Sequence, residues 1–165
     1  MANDKKNNFI EAYDLYSDAI YRHCYFRVFK KARAEELVQV TFMKTWEYIK
    51  KGNEIENIRA FLYKVANNLI IDESRKRKEE SLDDLLDQNI FMEPSYREEK
   101  IFEHNILLAE IKEKMKKLEE EDQKLITLRY FDDLDPKDIA LITGDKTNNV
   151  SVKLNRALNK LKQII

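Results

Sequence analysis

An all-α protein, organised as two small helical domains joined by an acidic linker, is what this sequence predicts, and three observations carry the prediction. The chain has only two Gly and two Pro in 165 residues, too few for the turns of sandwiches and barrels or for Gly-rich phosphate loops. Its composition, 43% hydrophobic and 37% charged, favours helices with buried apolar stripes and is too apolar for wholesale disorder. Charge falls in blocks: residues 1–78 hold 16 Lys/Arg against 11 Asp/Glu, residues 79–99 one Arg against eight acids, and residues 100–165 13 basic against 12 acidic. The total of −1 therefore conceals two units with basic patches flanking an acidic connector.

The first domain is expected over residues 1–78. Phe9, Tyr13, Tyr16 and Ile20 recur at helical spacing, and Tyr21, Cys24, Tyr25, Val28 and Phe29 continue the apolar face. Leu37, Val38, Thr41, Phe42, Thr45, Trp46 and Ile49 make a wide buried stripe, opposite a mostly polar face with Glu36, Gln39, Met43, Lys44 and Glu47. Gly52 is placed to end that helix. Phe61, Leu62, Val65, Ala66, Leu69 and Ile70 form a third stripe, and Lys64, Asn68, Ile71 and Arg75 share its outward face, running into Arg75-Lys76-Arg77-Lys78. Lys, Asn and Arg beside an aromatic such as Phe61 suit single-stranded nucleic acid: rings stack on bases, Asn bonds a base edge, and cations neutralise phosphate. The same residues also suit a core position for Phe61, a polar surface for Asn67-Asn68, and a basic helix end answering the macrodipole.

Residues 79–100 read as a linker. They lack a sustained helical period, Pro94 interrupts them, and Leu82, Leu85 and Leu86 suggest one short turn. In the second domain, residues 101–165, the acids after Leu118 open a helix with Leu125, Ile126, Leu128 and Phe131 inward. Asp135-Pro136-Lys137-Asp138 is a start signal, with Asp as N-cap and Pro at N1, and Gly144 stops that short helix. A last helix is expected from Thr147 as its cap. It carries Val150, Leu154, Ala157, Leu158 and Leu161 inward and Asn149, Ser151, Lys153, Arg156 and Lys160 outward. Lys146 to Ile165 contains five basic residues and no acid. A short helix, a Gly turn and a basic second helix make a helix-turn-helix, whose second helix sits in a major groove.

The order of these parts resembles the sigma-70 family of bacterial transcription initiation factors. It is most similar to the small extracytoplasmic-function (ECF) group, which keeps only the second and fourth sigma domains. Glu35-Glu36-Leu37-Val38-Gln39-Val40-Thr41-Phe42-Met43-Lys44-Thr45-Trp46 resembles the family's acidic-Leu-Val-Gln-Glu-Thr-Phe…Trp helix. Arg59 to Asp72 resembles its Trp-Leu-Tyr-Arg-Ile-Ala-x-Asn-x-x-x-Asp helix, and Leu125 to Leu161 follows the fourth-domain pattern without a gap. The resemblance implies a sigma factor that directs core RNA polymerase to promoters and assists promoter opening. Glu36 and Gln39 would dock on the β′ clamp helices, and the second domain would meet the β subunit region near the −35 element. The loop from Lys51 through Asn53 to Asn57, with Phe61, Lys64, Asn68 and Arg75, would capture unpaired −10 bases. Asn149, Lys153 and Arg156 would read the −35 duplex, with Ser151 and Lys160 alongside. An anti-sigma factor is a further partner of this class. Departures are specific: Val40 stands where the family usually has an acid, Phe61 replaces Trp, Asp145 replaces an apolar residue after the Gly, and Val152 occupies a normally polar reading position.

Other chemistries lack their residues. His23 and Cys24 are adjacent, so on a helix they diverge by about 100° and cannot act as a ligand pair. His104 is isolated, and a zinc site needs more ligands at defined spacing. No nucleophile–base grouping is present, so neither enzymatic activity, nor a cofactor, nor a metal is expected. A single cysteine suits a reducing cytosol. No apolar run of membrane-spanning length appears, and the N-terminus lacks a signal-peptide stretch. These features favour a cytoplasmic protein without membrane insertion. Two alternatives stay open: a stand-alone helix-turn-helix regulator whose first unit dimerises or senses, and a helical protein-interaction module without DNA contact.

Overall fold

The computed structural model describes residues 2–80 and 109–165. The expected linker, with Leu82, Leu85, Leu86 and Pro94, lies almost wholly outside the described residues. Three long helices come first: α1 (Ala2–Val28), α2 (Lys31–Lys50) and α3 (Ile58–Glu80). Beyond the undescribed stretch come α4, described over 109–115, and α5 (Glu120–Ile126), which runs into a π-helical turn at Thr127–Phe131. Helices α6 (Pro136–Thr143) and α7 (Thr147–Ile164) complete the order.

Helices α1, α2 and α3 pack on one another, each contributing its apolar stripe. Leu37, Val38 and Phe42 of α2 are buried with Ile20 and Cys24 of α1 and with Leu62, Tyr63, Ala66 and Ile70 of α3. Thr41 and Thr45, polar members of the α2 stripe, are fully buried. Each satisfies its hydroxyl by donating to the carbonyl four residues back, Leu37 O at 2.6 Å and Thr41 O at 2.8 Å. Phe9 extends the contact outward, its ring 5.0 Å from Trp46 and 6.1 Å from Phe42. The reversal between α1 and α2 puts Phe29 at φ 54, an unfavourable backbone for a bulky residue. The buried ring offsets that cost, lying against Tyr25 and under the Lys112 ammonium at 5.1 Å.

The second unit follows its capping chemistry. Asp135 Oδ1 accepts from the backbone N–H groups of Lys137 and Asp138, both at 3.0 Å, and Gly144 ends α6 at φ 78. One boundary differs from expectation. Thr147 is the first residue inside α7; Lys146 holds the N-cap position, extended at φ −77 and ψ 147, and supplies no side-chain acceptor. The π-turn closes through Asp132 N–H donating to Thr127 O at 3.0 Å. That wider turn re-aims the residues that follow it, and Asp133 leaves it at φ 51.

The two units share one core. Leu125, Leu128, Leu134, Ile139, Ile142, Val150 and Leu154 belong to the same buried cluster as Ile20 and Leu62. Helix α6 packs on α3, and the π-turn packs on α1. A second cluster, Met115, Leu118, Ile126 and Ala157, holds the α4–α5 segment against α7.

Cys24 reports on this packing. Burial first, then the field of Asp132, pushes its thiol from 9.0 up to about 12. A group whose folded value is raised contributes stability that is complete below its unfolded value and is lost as pH rises through the folded one. Native protein should therefore resist alkylation at pH 8 until it unfolds. Its urea midpoint should fall between pH 9 and 11, and Cys24→Ala should make that fall shallower.

Candidate nucleic-acid and protein interfaces

On α2, burial of Leu37, Val38, Thr41 and Phe42 leaves Glu36 and Gln39 exposed together, one turn apart. Glu36 pairs with Arg33, which also bonds Glu73 of α3 at 2.5 Å, so the face is braced by a neighbouring helix. Met43 is 54% exposed on the same side, adding an apolar contact to a polar surface.

The loop after α2 turns at Gly52, φ 91. Lys51 and Asn53 are exposed, and Asn53 Nδ2 donates to Tyr48 O at 3.0 Å. Asn57 Oδ1 accepts from Ala60 N–H at 3.0 Å, capping α3. From there Lys64, Asn68 and Arg75 emerge exposed along one side of α3. Phe61 sits at their head, half-buried, with its ring 4.8 Å from that of Tyr48. The four thus line one side of α3, with Phe61 and Arg75 about 21 Å apart along it. Asn67 and Asn68, paired in the sequence as surface polarity, part company. Asn67 is buried and accepts from Arg27 Nη1 at 3.2 Å, whereas Asn68 faces water.

On α7, Asn149, Ser151, Arg156 and Lys160 are exposed and Lys153 is half-buried. Ser151 Oγ donates to Thr147 O at 3.2 Å. Lys153 Nζ lies 2.9 Å from both Glu121 and Asp145, and these bonds, Glu121 first, hold its ammonium above the usual range. Lys160 Nζ bonds Asp122 at 2.6 Å. Arg156 has no ion pair among the described residues. The acids of the segment ahead of α7, Asp132, Asp133 and Asp138, are engaged elsewhere. Asp132 bonds His23 at 2.7 Å, Asp133 lies 3.9 Å from Arg129, and Asp138 meets Asn57 at 3.4 Å.

Two buried polar contacts had no counterpart in the sequence reading: His23 with Asp132, and Arg27 with Asn67. Their partners stand 109 and 40 residues apart, so no local period links them. The only hint was a His and an Arg on the α1 face that also carries Cys24 and Tyr25. No group of three or more His, Cys, Asp or Glu able to hold a metal occurs among the described residues. None of the described helices is long and apolar enough to cross a membrane.

Residues 12–80 match sigma-70 region 2, and residues 108–161 match sigma-70 region 4. The ECF RNA polymerase sigma factor SigM of Bacillus subtilis is 29% identical over 163 residues, covering 93% of each chain. BldN of Streptomyces coelicolor, also an ECF RNA polymerase sigma factor, is 29% identical over 158 residues. That match covers 93% of this chain, which spans 58% of the length of BldN. Among solved structures, the sigma factor RpoE of Bartonella quintana, in complex with the anti-sigma factor NepR, superposes with a TM-score of 0.75 at 24% identity, covering 95% of this chain and 96% of that one. CnrH, in complex with the cytosolic domain of CnrY, gives 0.72 at 17% identity, covering 96% and 88%. With region 2 on α1–α3, region 4 on the helices that end in α7, and a match to SigM that covers 93% of both chains, the chain belongs to the sigma-70 family, in its ECF group.

Proposed function

We propose that this sigma factor gives core RNA polymerase its promoter preference through three surfaces, and that it carries no catalytic step of its own. Glu36 and Gln39 dock on the β′ clamp helices. The 51–57 loop with Phe61, Lys64, Asn68 and Arg75 holds single-stranded −10 bases. Helix α7 enters the −35 major groove, with the β subunit nearby. Its place of action is the cytoplasm, with the polymerase, and an anti-sigma factor completes the partner set. The observation that carries this reading is the exposure of Lys64, Asn68 and Arg75 on one side of α3 together with that of Asn149 and Arg156 on α7. Polar side chains of the types that bind bases and phosphates stand free on both sigma regions.

Within α7 the structure separates the basic residues. Arg156 stands free to form a paired hydrogen bond with guanine. Lys153 and Lys160 must leave Glu121, Asp145 and Asp122 before meeting DNA, so their role is phosphate contact after exchange of partners. The Lys153–Glu121 pair is exposed enough to break at little cost, commonly under about 1 kcal/mol, whereas Lys160 would leave the buried Asp122 behind.

Run-off transcription with core enzyme, this protein and a promoter library tests the whole reading; the absence of product on every template would sink it. Glu36→Arg should weaken assembly with core enzyme at least tenfold, roughly 1.4 kcal/mol, with helical content unchanged by circular dichroism. Asn68→Ala should slow open-complex formation, read by permanganate reactivity of −10 thymines, more than it lowers core binding; equal losses would mark a folding defect. Arg156→Ala should flatten preference at one −35 position, worth about 1–3 kcal/mol. A uniform loss with a salt slope reduced by about one would instead assign Arg156 to phosphate.

A further inference from the structure

Helix α7 turns an apolar side chain to water at the place most directly opposed to its buried stripe. Val150, Leu154 and Ala157 are buried, whereas Val152 is 50% exposed. At about 100° per residue, Val152 points about 160° away from Val150 and Leu154 and about 140° away from Ala157. Its neighbours three and four residues along the helix are Asn148, Asn149, Asn155 and Arg156, all exposed. One valine thus stands in the middle of three carboxamides and a guanidinium.

Singly exposed apolar residues are ordinary on protein surfaces, so the position carries the argument and not the exposure. A β-branched residue is less favourable in a helix than alanine, so Val152 does not serve the helix itself. The lysines, moreover, are drawn off this strip. Lys153, about 100° round the helix from Val152, has its Nζ 2.9 Å from both Glu121 and Asp145, and Lys160 bonds Asp122. The centre of the strip is therefore apolar and uncharged, flanked by groups that hydrogen-bond base edges.

Val152 is the sixth residue of α7, in the N-terminal part that meets base edges in a helix-turn-helix. Among the groups that bases present in the major groove, thymine alone offers a methyl, at C5; the others are donors and acceptors. A donor or acceptor set against Val152 would lose its hydrogen bonds to water without replacement. A thymine methyl loses none and gains apolar burial.

We propose that Val152 is a specificity-determining residue of the −35 contact, selecting the C5-methyl of a thymine in a base pair between those met by Asn149 and Arg156. The inference rests on the −35 reading of α7 and adds to it a position read without hydrogen bonds.

The test uses the full chain with core enzyme and duplex promoters. A library randomised across the −35 element should enrich thymine at one position beside the guanine met by Arg156. Replacing that thymine by deoxyuridine removes the methyl and nothing else, and wild-type binding should fall about fourfold. Val152→Ala, a better helix former, should bind the thymine and uracil templates equally well while the guanine preference persists. Val152→Thr keeps a methyl at the branch and should retain a uracil penalty. Because the protein and the base are changed in one cycle, a general effect on folding cancels. A library without thymine preference, a wild type indifferent to uracil, or a Val152→Ala variant with the wild-type uracil penalty would overturn the assignment. Failure of the −35 reading looks different: the library would then show no duplex preference at any position, and Arg156→Ala would change nothing. An intact guanine preference without a uracil penalty would sink the role of Val152 alone.

Discussion

The inner side of α3 has to be covered along most of its length, because Leu62, Tyr63, Ala66 and Ile70 recur on it and all four are buried. Each large apolar side chain contributes about 1.5–3 kcal/mol on burial, so this stripe weighs heavily in the region. Covering it takes α1 and α2 from one side and α6 from another. What remains in water is a narrow strip, and Lys64, Asn68 and Arg75 occupy it. The proposed −10 surface is thus the remainder left by packing, which is why its residues are aligned on one side of a helix whose other side is buried.

The same burial explains the unusual polar chemistry between the two regions. Packing α6 and the π-turn on α1 and α3 takes His23, Asp132 and Asn67 out of water, and groups buried this way must be paired. His23 finds Asp132, Arg59 finds the Asp132 carbonyl, and Asn67 finds Arg27. The π-turn has a direct part in this. By closing its hydrogen bond over one more residue than an α-helix does, it alters the direction in which Asp132 leaves Thr127–Phe131. Burial also raises the Cys24 thiol and the Tyr63 hydroxyl beside this site, Asp132 adding to both.

On α7 the balance is different. Its basic residues stand in the solvent, yet two of them are answered by acids of α5 and of the turn before α7. Glu121 and Asp145 hold Lys153, and Asp122 with Glu119 holds Lys160. These pairs fix the position of α5 against α7, and exchange for phosphate would leave Asp122, itself buried, without its cation. Arg156, with no such partner among the described residues, keeps its five donors available.

Much of this was legible in the residues alone. Helical periods predicted α1, α2, α3 and α7, and local capping chemistry predicted the limits of α6, because spacing and caps act within a few residues. Exposure of Glu36, Gln39, Lys64, Asn68, Asn149 and Arg156 followed for the same reason: a helix with one apolar stripe must turn its other side outward. The reading failed where partners are far apart in the chain. It left open whether Asn67 and Asn68 are both surface polarity, and Asn67 turns inward. It did not foresee that a histidine near the middle of α1 would meet an aspartate 109 residues later. Those outcomes depend on which helix faces cover one another, a choice made by the competition of all the stripes for the least exposed surface. The sequence by itself determined the helices and the side of each that faces water. Only the tertiary structure decided which buried polar groups would pair, since desolvation acts on neighbours in space and not on neighbours in the chain.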